Sequence, residues 1–413
     1  MPSTHRRAVF RSAFLLSGIT LFAFSLRTAV ASLSPLLHLI QRDLTVPATV
    51  IGVIGASPMV CYAAFGIMTP AWTRRFGLER MTVAVLGVTT LGLTLRACAP
   101  DAPTLLATTV LIFAALGTGN ILTPALAKRY FPRHIGTVTT MYATMLSIST
   151  FLPPGVAVPL ADAAGWRFSI GVWAVFALLA LIPWVWQLIA QRGENADAIA
   201  DVVSSRPLRR LGRLRVTWAI TLGFTISSAI AYTGFSWLPT ILIDRAGVTP
   251  DAAGALLALF GLVSLPCSLV VPLLVARMRA ERVLFVGSCA PSALGCLGLL
   301  LAPSAAPWLW TALLGLGPPL LFSTTMALFG IRTRAHPTSV ALSSFVQSFG
   351  YGSAAVFPLI AGILHDMTGH WDSTIWILAA ASVLAIPAGI ALGRQETLEE
   401  QWERRHGPWD SPQ

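Results

Sequence analysis

The chain has 413 residues, of which 55% are hydrophobic and only 11% are charged. Soluble globular proteins carry about 25% charged residues, so this composition excludes a soluble enzyme, a disordered chain and a fibrous repeat. The net charge of +11 lies in short basic patches between apolar segments. That pattern favours a protein of the lipid bilayer and gives no reason to expect a nucleic-acid partner.

Twelve apolar segments follow one another, each long enough to cross about 30 Å of hydrocarbon as a helix. We expect the first six over 12–37, 49–71, 81–99, 104–127, 135–160 and 167–189, and the second six over 216–242, 252–276, 283–303, 307–331, 339–364 and 373–393. The sequence therefore predicts an all-α membrane protein with twelve transmembrane helices. They form an N-terminal six-helix bundle (1–189) and a C-terminal six-helix bundle (216–393), with a cytoplasmic linker at 190–215 and a cytoplasmic tail at 394–413.

The basic residues predict the orientation of these spans. Most of the 28 lysines and arginines fall in segments on one side, and the other side holds Arg42, Arg96, Arg167 and Arg245. Because cytoplasmic loops carry the excess of positive charge, we expect both termini in the cytoplasm and the protein in the plasma (inner) membrane.

The two sets of six spans repeat at a spacing near 200 residues. In the loops after the second and eighth spans, Pro70, Arg75, Glu79 and Arg80 match Pro272, Arg277, Glu281 and Arg282 at one constant offset. The segment 116–119 matches 314–317, and Trp166 matches Trp371. Parallel six-helix repeats are typical of a large class of secondary transporters, whose solute site lies between the repeats near mid-membrane.

Arg27 falls inside the first predicted span, where an unpaired cation is costly. None of the 17 acidic residues or seven histidines falls in mid-span, so no counter-charge is evident. The guanidinium suits a carboxylate or another small planar anion, although main-chain carbonyls could solvate it instead. The lack of a mid-span acid argues against proton-driven export of cationic drugs. Coupling through the solute's own proton or through water, and facilitated diffusion, stay open.

Other polar and aromatic side chains near mid-span complete a candidate binding site. They are Tyr62, Asn120, Tyr142, Tyr232, Trp237, Gln347 and Tyr351. The same groups could instead hold helices together by hydrogen bonds. We interpret Trp166, Trp308, Trp310 and Trp371 as residues of the aromatic belt at the membrane interface. No metal-ligand spacing, nucleophile triad or nucleotide-binding loop occurs, so we expect no catalytic residue, metal or cofactor.

Several short motifs give the chain a family resemblance: Ser25–Ala29, Asn120–Pro124, Trp237–Pro239, Leu314–Gly317 and Gln347–Tyr351. They resemble the major facilitator superfamily, and within it the branch of cyanate and 2-nitroimidazole transporters. The resemblance implies two six-helix bundles, alternating access and a central site for small anions or small polar heterocycles. By position it implies solute-binding roles for Arg27, Asn120, Tyr232, Trp237, Gln347 and Tyr351.

The chain also departs from that branch, which usually has Asn at the position of Ser25 and Pro at that of Thr28. The superfamily's conformational loop motif is matched by Arg75, Gly77, Arg80, Arg277 and Arg282, but its usual acidic residue is replaced here by Arg74. We expect a monomeric secondary transporter of a small, anionic or polar solute, with the proton as candidate coupling ion. The alternative is a proton-coupled multidrug or metabolite exporter. A membrane enzyme or receptor would need a catalytic or sensory constellation, and the sequence contains none.

Overall fold

The computed structural model describes residues 2–44, 46–131, 134–190, 210–278, 281–334, 336–392, 396–407 and 409, and within these ranges it contains helices and no strand. Among these residues, eleven helical segments are long and apolar enough to cross a membrane. One of them, Met141–Ala190, contains two crossings, because Gly165 with φ +85° reverses the chain. Ser169 Oγ consequently donates to the carbonyl of Ala157, twelve positions earlier, at 2.7 Å. The predicted twelve spans are confirmed.

The spans are numbered 1 to 12 in chain order, with spans 1–6 called the first half and spans 7–12 the second half. In the first half the helices are Pro2–Ala31 with Leu37–Asp43 (span 1), Ala48–Phe76 (span 2), Leu78–Ala97 (span 3), Ala102–Tyr130 (span 4), and Ile135–Gly171 with Ala174–Ala190 (spans 5 and 6, divided at Gly165).

In the second half the helices are Arg215–Ala246 (span 7), Pro250–Leu262 with Ser264–Met278 (span 8), Glu281–Gly287 with Cys289–Leu301 (span 9), Pro307–Ile331 (span 10), His336–Ala354 with Val356–Thr368 (span 11), and Asp372–Val383 with Ala385–Ala391 (span 12). A tail helix, Leu398–His406, follows. Of the predicted linker 190–215, residues 191–209 lie outside the described residues.

Span 1 is interrupted in a way that the hydropathy pattern did not predict. Its first helix ends at Ala31, and a single 3-10 turn, Ser34–Leu36, precedes the short helix Leu37–Asp43. Pro35 has no N–H to continue the α-helical ladder, and its ring would clash with the carbonyl one turn earlier. Arg27 therefore lies four residues before a helix end rather than at the centre of a continuous helix.

The internal repeat is visible in matching hydrogen bonds. The indole Nε1 of Trp166 donates to Asp43 at 2.7 Å, and the indole Nε1 of Trp371 donates to Asp244 at 2.8 Å. Both tryptophans are buried, so their interpretation as belt residues is wrong. Each tryptophan instead ties the start of the sixth span of its half to the end of the first.

A second matching pair of contacts lies at the end of the molecule that carries the termini, called the terminus side. Arg129 Nε lies 3.2 Å from Glu79, and Arg332 lies 3.1 Å from Glu281. Each pair joins the start of the third span of its half to the end of the fourth span or the residue after it. The hydroxyl of Tyr130 also donates to Glu79 at 2.6 Å.

The two halves meet where spans 2 and 11 and spans 5 and 8 pack together. A Cβ at Gly52 would lie 3.1 Å from the carbonyl oxygen of Pro358, and one at Gly261 would lie 2.8 Å from that of Thr150. Near the end opposite the termini, called the far side, Thr49 Oγ1 donates to Asp366 across the same interface. The absence of side chains at these glycines lets the backbones of the two halves approach closely.

A candidate solute site between the two halves

A cavity of about 850 Å³ lies between the halves. Spans 1, 4 and 5 of the first half and spans 7, 8, 10 and 11 of the second supply its wall. It extends toward the terminus side, where Leu269, Met326 and Ser343 line it. Most of the wall is apolar, and among the described residues that line it Arg27 is the one charged side chain. A mostly apolar pocket with a few placed polar groups is the usual form of a small-molecule site.

The Arg27 side chain is half-buried because it faces this cavity rather than the protein exterior. Its guanidinium NH1 donates to the hydroxyl of Tyr232. The guanidinium carbon lies 5.7 Å from the ring centroids of both Tyr62 and Tyr232, within the range of cation–π attraction. No carboxylate of the described residues forms an ion pair with Arg27. Among the described residues, its positive charge is stabilised by neutral tyrosine hydroxyls and aromatic faces.

Three tyrosines form a buried cluster beside Arg27. The ring centroids of Tyr62 and Tyr351 are 5.5 Å apart, those of Tyr232 and Tyr351 are 6.1 Å apart, and those of Tyr62 and Tyr232 are 6.3 Å apart. Tyr62 belongs to the first half, whereas Tyr232 and Tyr351 belong to the second. The cluster therefore joins the two halves through edge-to-face contacts, the arrangement that aromatic rings prefer.

The structure brings most of the expected site residues to one cavity. Those that line it are Arg27, Asn120, Tyr142, Tyr232, Gln347 and Tyr351. Tyr62 does not line the wall; its hydroxyl donates to the Leu26 carbonyl at 3.4 Å and its ring packs behind Arg27. Trp237 lies away from the cavity, 2% exposed, and its indole Nε1 donates to the Pro358 carbonyl at 3.0 Å. In this conformation Trp237 holds span 7 against span 11.

The expected loop motif lies on the terminus side, far from the cavity wall. Gly77 separates spans 2 and 3 with φ +86° and ψ 156°, a backbone conformation that essentially only glycine adopts. Arg75, Arg80 and Arg282 are exposed. The side chain of Arg277 lies outside the described residues. The charged groups buried in these two loops are Glu79 and Glu281, whose matching positions in the sequence indicate the repeat.

The structure also buries an arginine, Arg96, that the charge pattern had assigned to the outside loops. Arg96 is fully buried, and its NH1 donates to the carbonyl of Ala29 at 2.9 Å. Its Nε and NH2 have no hydrogen-bond partner among the described residues. In the sequence, the burial of Arg96 could have been inferred from its position inside the predicted span 81–99. Arg96 holds the last turn of the helix that carries Arg27.

This arrangement defines the class of protein. Two six-span halves that repeat the same contacts, with a mostly apolar cavity that carries a few polar groups between them, are organised as a transporter. The chain belongs to the Major Facilitator Superfamily, whose family model matches residues 13–352.

Individual relatives indicate which branch of the superfamily the chain resembles. The chain is 30% identical to the 2-nitroimidazole transporter of Escherichia coli, over 93% of this chain and 96% of that protein. It is 30% identical to an uncharacterised transporter, YycB, of Bacillus subtilis, over 98% of this chain and all of that protein. It is 23% identical to the cyanate transport protein CynX of Escherichia coli, over 86% of this chain and 90% of that protein. The expected resemblance to this branch is confirmed.

Solved structures show the same fold. A D-xylose–proton symporter superposes with a TM-score of 0.70 at 14% identity, covering 94% of this chain and 98% of that one. A bacterial homologue of the human lysosomal transporter Spinster, in an inward-facing and occupied conformation, superposes with a TM-score of 0.68 at 13% identity, covering 98% and 99%. At these identities the likeness concerns the fold alone.

Proposed function

We propose that this protein carries a small anionic solute across the plasma membrane by alternating access, with Arg27 as the residue that pairs with the anion. The observation that carries the proposal is the position of Arg27 in the central cavity without a carboxylate partner among the described residues. A charged group held in a low-dielectric site gains most from a ligand of opposite charge.

The positive charge of Arg27 in the cavity wall supports a negatively charged solute. No acidic side chain stands among the described residues that line the cavity, so a cationic solute would meet Arg27 without compensation. The alternative function, proton-coupled export of cationic drugs, is therefore less well supported. Two relatives are a cyanate transport protein and a 2-nitroimidazole transporter; cyanate is a small anion, and 2-nitroimidazole is a small polar heterocycle with an N–H.

The contacts between spans 2 and 11 support a conformation that is closed on the far side and open toward the terminus side. The hydrogen bond between Thr49 and Asp366 and the packing of Gly52 on Pro358 close the interface toward the far side, while the cavity extends toward the terminus side. If both termini are cytoplasmic, as the distribution of basic residues indicates, this is an inward-facing state of a monomeric carrier. Rocking of the two halves would then expose Arg27 to the other side.

Uptake into proteoliposomes tests the proposal. We expect saturable uptake of radiolabelled cyanate or 2-nitroimidazole above that of protein-free liposomes, and a loss of this uptake in Arg27→Gln. Arg42→Gln, which removes an exposed arginine near the end of span 1, is the matched control and keeps the wild-type rate. Saturable uptake that is equal in wild-type protein and Arg27→Gln would contradict the proposal. The absence of uptake of these two solutes and of formate, nitrate and benzoate would contradict it as well.

A further inference from the structure

Two amide side chains, one from each half, line the cavity, and each uses an N–H but not its oxygen in a hydrogen bond within the protein. Asn120 in span 4 donates its Nδ2 to the carbonyl of Leu116 at 3.1 Å. Gln347 in span 11 donates its Nε2 to the hydroxyl oxygen of Ser343 at 2.7 Å. Each amide therefore has one N–H engaged by its own helix. Neither amide oxygen accepts a hydrogen bond from a described residue.

Three hydroxyl groups of the wall also donate to main-chain carbonyls. Thr123 donates to the carbonyl of Gly119 at 3.0 Å, and Thr150 donates to that of Ser147 at 2.6 Å. Ser227 donates to the carbonyl of Pro318 at 2.7 Å. A hydroxyl group has a single proton, so these three side chains can offer a ligand only the lone pairs of their oxygens.

Away from Arg27, the wall thus offers the free oxygens of Asn120 and Gln347, one from each half, beside the second N–H of each amide and several hydroxyl groups, and it has no carboxylate among its described residues. A buried acceptor left without a donor costs binding free energy, whereas one that receives an N–H or O–H does not. We infer that the solute carries an N–H or O–H donor in addition to its anionic group, and that the Asn120 and Gln347 oxygens accept it. This inference rests on the proposed function, and it adds a second recognition element to the charge selected by Arg27.

The arrangement also has a consequence for alternating access. Asn120 belongs to the first half and Gln347 to the second, so a solute that donates to both oxygens would connect the two halves. Contacts made to both halves at once favour the conformations in which the halves lie closest, because a ligand shifts an equilibrium by its differential affinity for the two states. The donor group would therefore select the solute and also promote closure around it.

A pair of isosteric acids tests the inference directly. Pyrrole-2-carboxylate and furan-2-carboxylate have the same charge and nearly the same size, but only the pyrrole carries an N–H. With purified full-length protein in detergent, calorimetric titration should give about tenfold tighter binding of the pyrrole acid, which corresponds to one acceptor left without a donor by the furan acid. The preference should fall by at least half in Asn120→Leu or in Gln347→Met, and should disappear in the double variant.

Control variants separate this inference from the proposed function. Gln41→Met removes an exposed glutamine on the far side, whose Nε2 donates to the Val46 carbonyl, and should keep the full preference for the pyrrole acid. Arg27→Gln should weaken both acids together. Equal binding of the two acids by wild-type protein, or a preference unchanged in the double variant, would overturn the inference and leave the role of Arg27 intact. Failure of both acids to bind wild-type protein would overturn the inference and the proposed anion selectivity together. Sodium-dependent binding that ignores the N–H would assign the oxygens to a cation and would also overturn it.

Discussion

Arg27 in span 1 donates a hydrogen bond to the hydroxyl of Tyr232 in span 7, so the one charged residue among those described in the cavity wall links the two halves of the protein. In an alternating-access cycle the halves separate on one side at a time. A contact between them at the solute site therefore changes the relative free energies of the conformations. An anion that binds Arg27 must share the guanidinium with Tyr232 or replace it.

Removal of the Tyr232 hydroxyl should strengthen anion binding. In Tyr232→Phe the guanidinium keeps an aromatic neighbour but loses its neutral acceptor, so an incoming anion no longer competes with that hydroxyl. We expect benzoate to bind about two- to tenfold more tightly, the value of one exchanged hydrogen bond. Calorimetric titration measures this change. Tyr130→Phe, which removes a hydroxyl on the terminus side, is the matched control. Weaker binding in Tyr232→Phe would mean that Tyr232 contacts the solute as a partner of Arg27.

A crosslink on the far side should stop transport but preserve binding. Thr49 and Asp366 form a hydrogen bond between spans 2 and 11, so cysteines at both positions would face each other across the interface and can be joined by a disulfide or a short bifunctional crosslinker. With the exposed Cys98 replaced by serine, we expect oxidised Thr49→Cys/Asp366→Cys to bind benzoate normally and to lose proteoliposome uptake. Reductant should restore uptake, and each single-cysteine variant should stay active throughout. Full uptake by the crosslinked protein would show that the far side does not open during transport.

Arg96 should contribute to solute affinity at a cost in stability. Its guanidinium is fully buried, yet only NH1 has a hydrogen-bond partner among the described residues. Burial of a poorly paired charge is costly, so Arg96→Met should keep or raise the thermal midpoint of the purified protein. The same variant should weaken benzoate binding about three- to tenfold, because the turn that follows Arg27 loses the hydrogen bond at Ala29. Arg42→Met should change neither quantity. Unchanged affinity in Arg96→Met would restrict Arg96 to a packing role.

The two repeat-related ion pairs should differ in strength because they differ in burial. The Arg332 and Glu281 side chains are 2% and 4% exposed, whereas those of Arg129 and Glu79 are 27% and 10% exposed. Arg332→Met leaves a buried carboxylate without its arginine and should cost about 3–5 kcal/mol, more than Arg129→Met does. The double variant Arg332→Met/Glu281→Gln should recover much of that loss. Unfolding in mixed SDS micelles measures these differences, and equal losses for the two arginine variants would contradict the argument.

The sequence predicted the features that depend on local composition. Long apolar segments, basic loops and the repeated loop residues gave twelve spans and two halves, because each of these signals can be read within one segment. The break at Ala31 depends on the proline that follows. The burial of Arg96 depends on contacts that span 3 makes with other spans, among them the hydrogen bond to the Ala29 carbonyl of span 1. Hydropathy alone can place such a residue on either side of a membrane boundary.

The sequence likewise predicted some residues of the candidate site but not which of the polar and aromatic side chains face the cavity. Arg27, Asn120, Gln347 and Tyr351 could be singled out as polar or aromatic groups in apolar segments, and the structure brings them to one cavity. Trp237 has the same appearance in sequence but donates to the Pro358 carbonyl. Only the rotation of a helix about its axis separates these two outcomes, and rotation is decided by contacts with other spans.

The central claim is that Arg27 selects an anion, and the most direct measurement is the binding of three ligands of one shape and three charges. Benzoate, benzamide and benzamidine should bind wild-type protein in that order of affinity. Arg27→Gln should weaken benzoate binding about 10- to 100-fold, the range for a hydrogen bond to a charged group, and should bring it close to that of benzamide. Benzamidine binding as tight as that of benzoate, or benzoate affinity unchanged in Arg27→Gln, would contradict the claim.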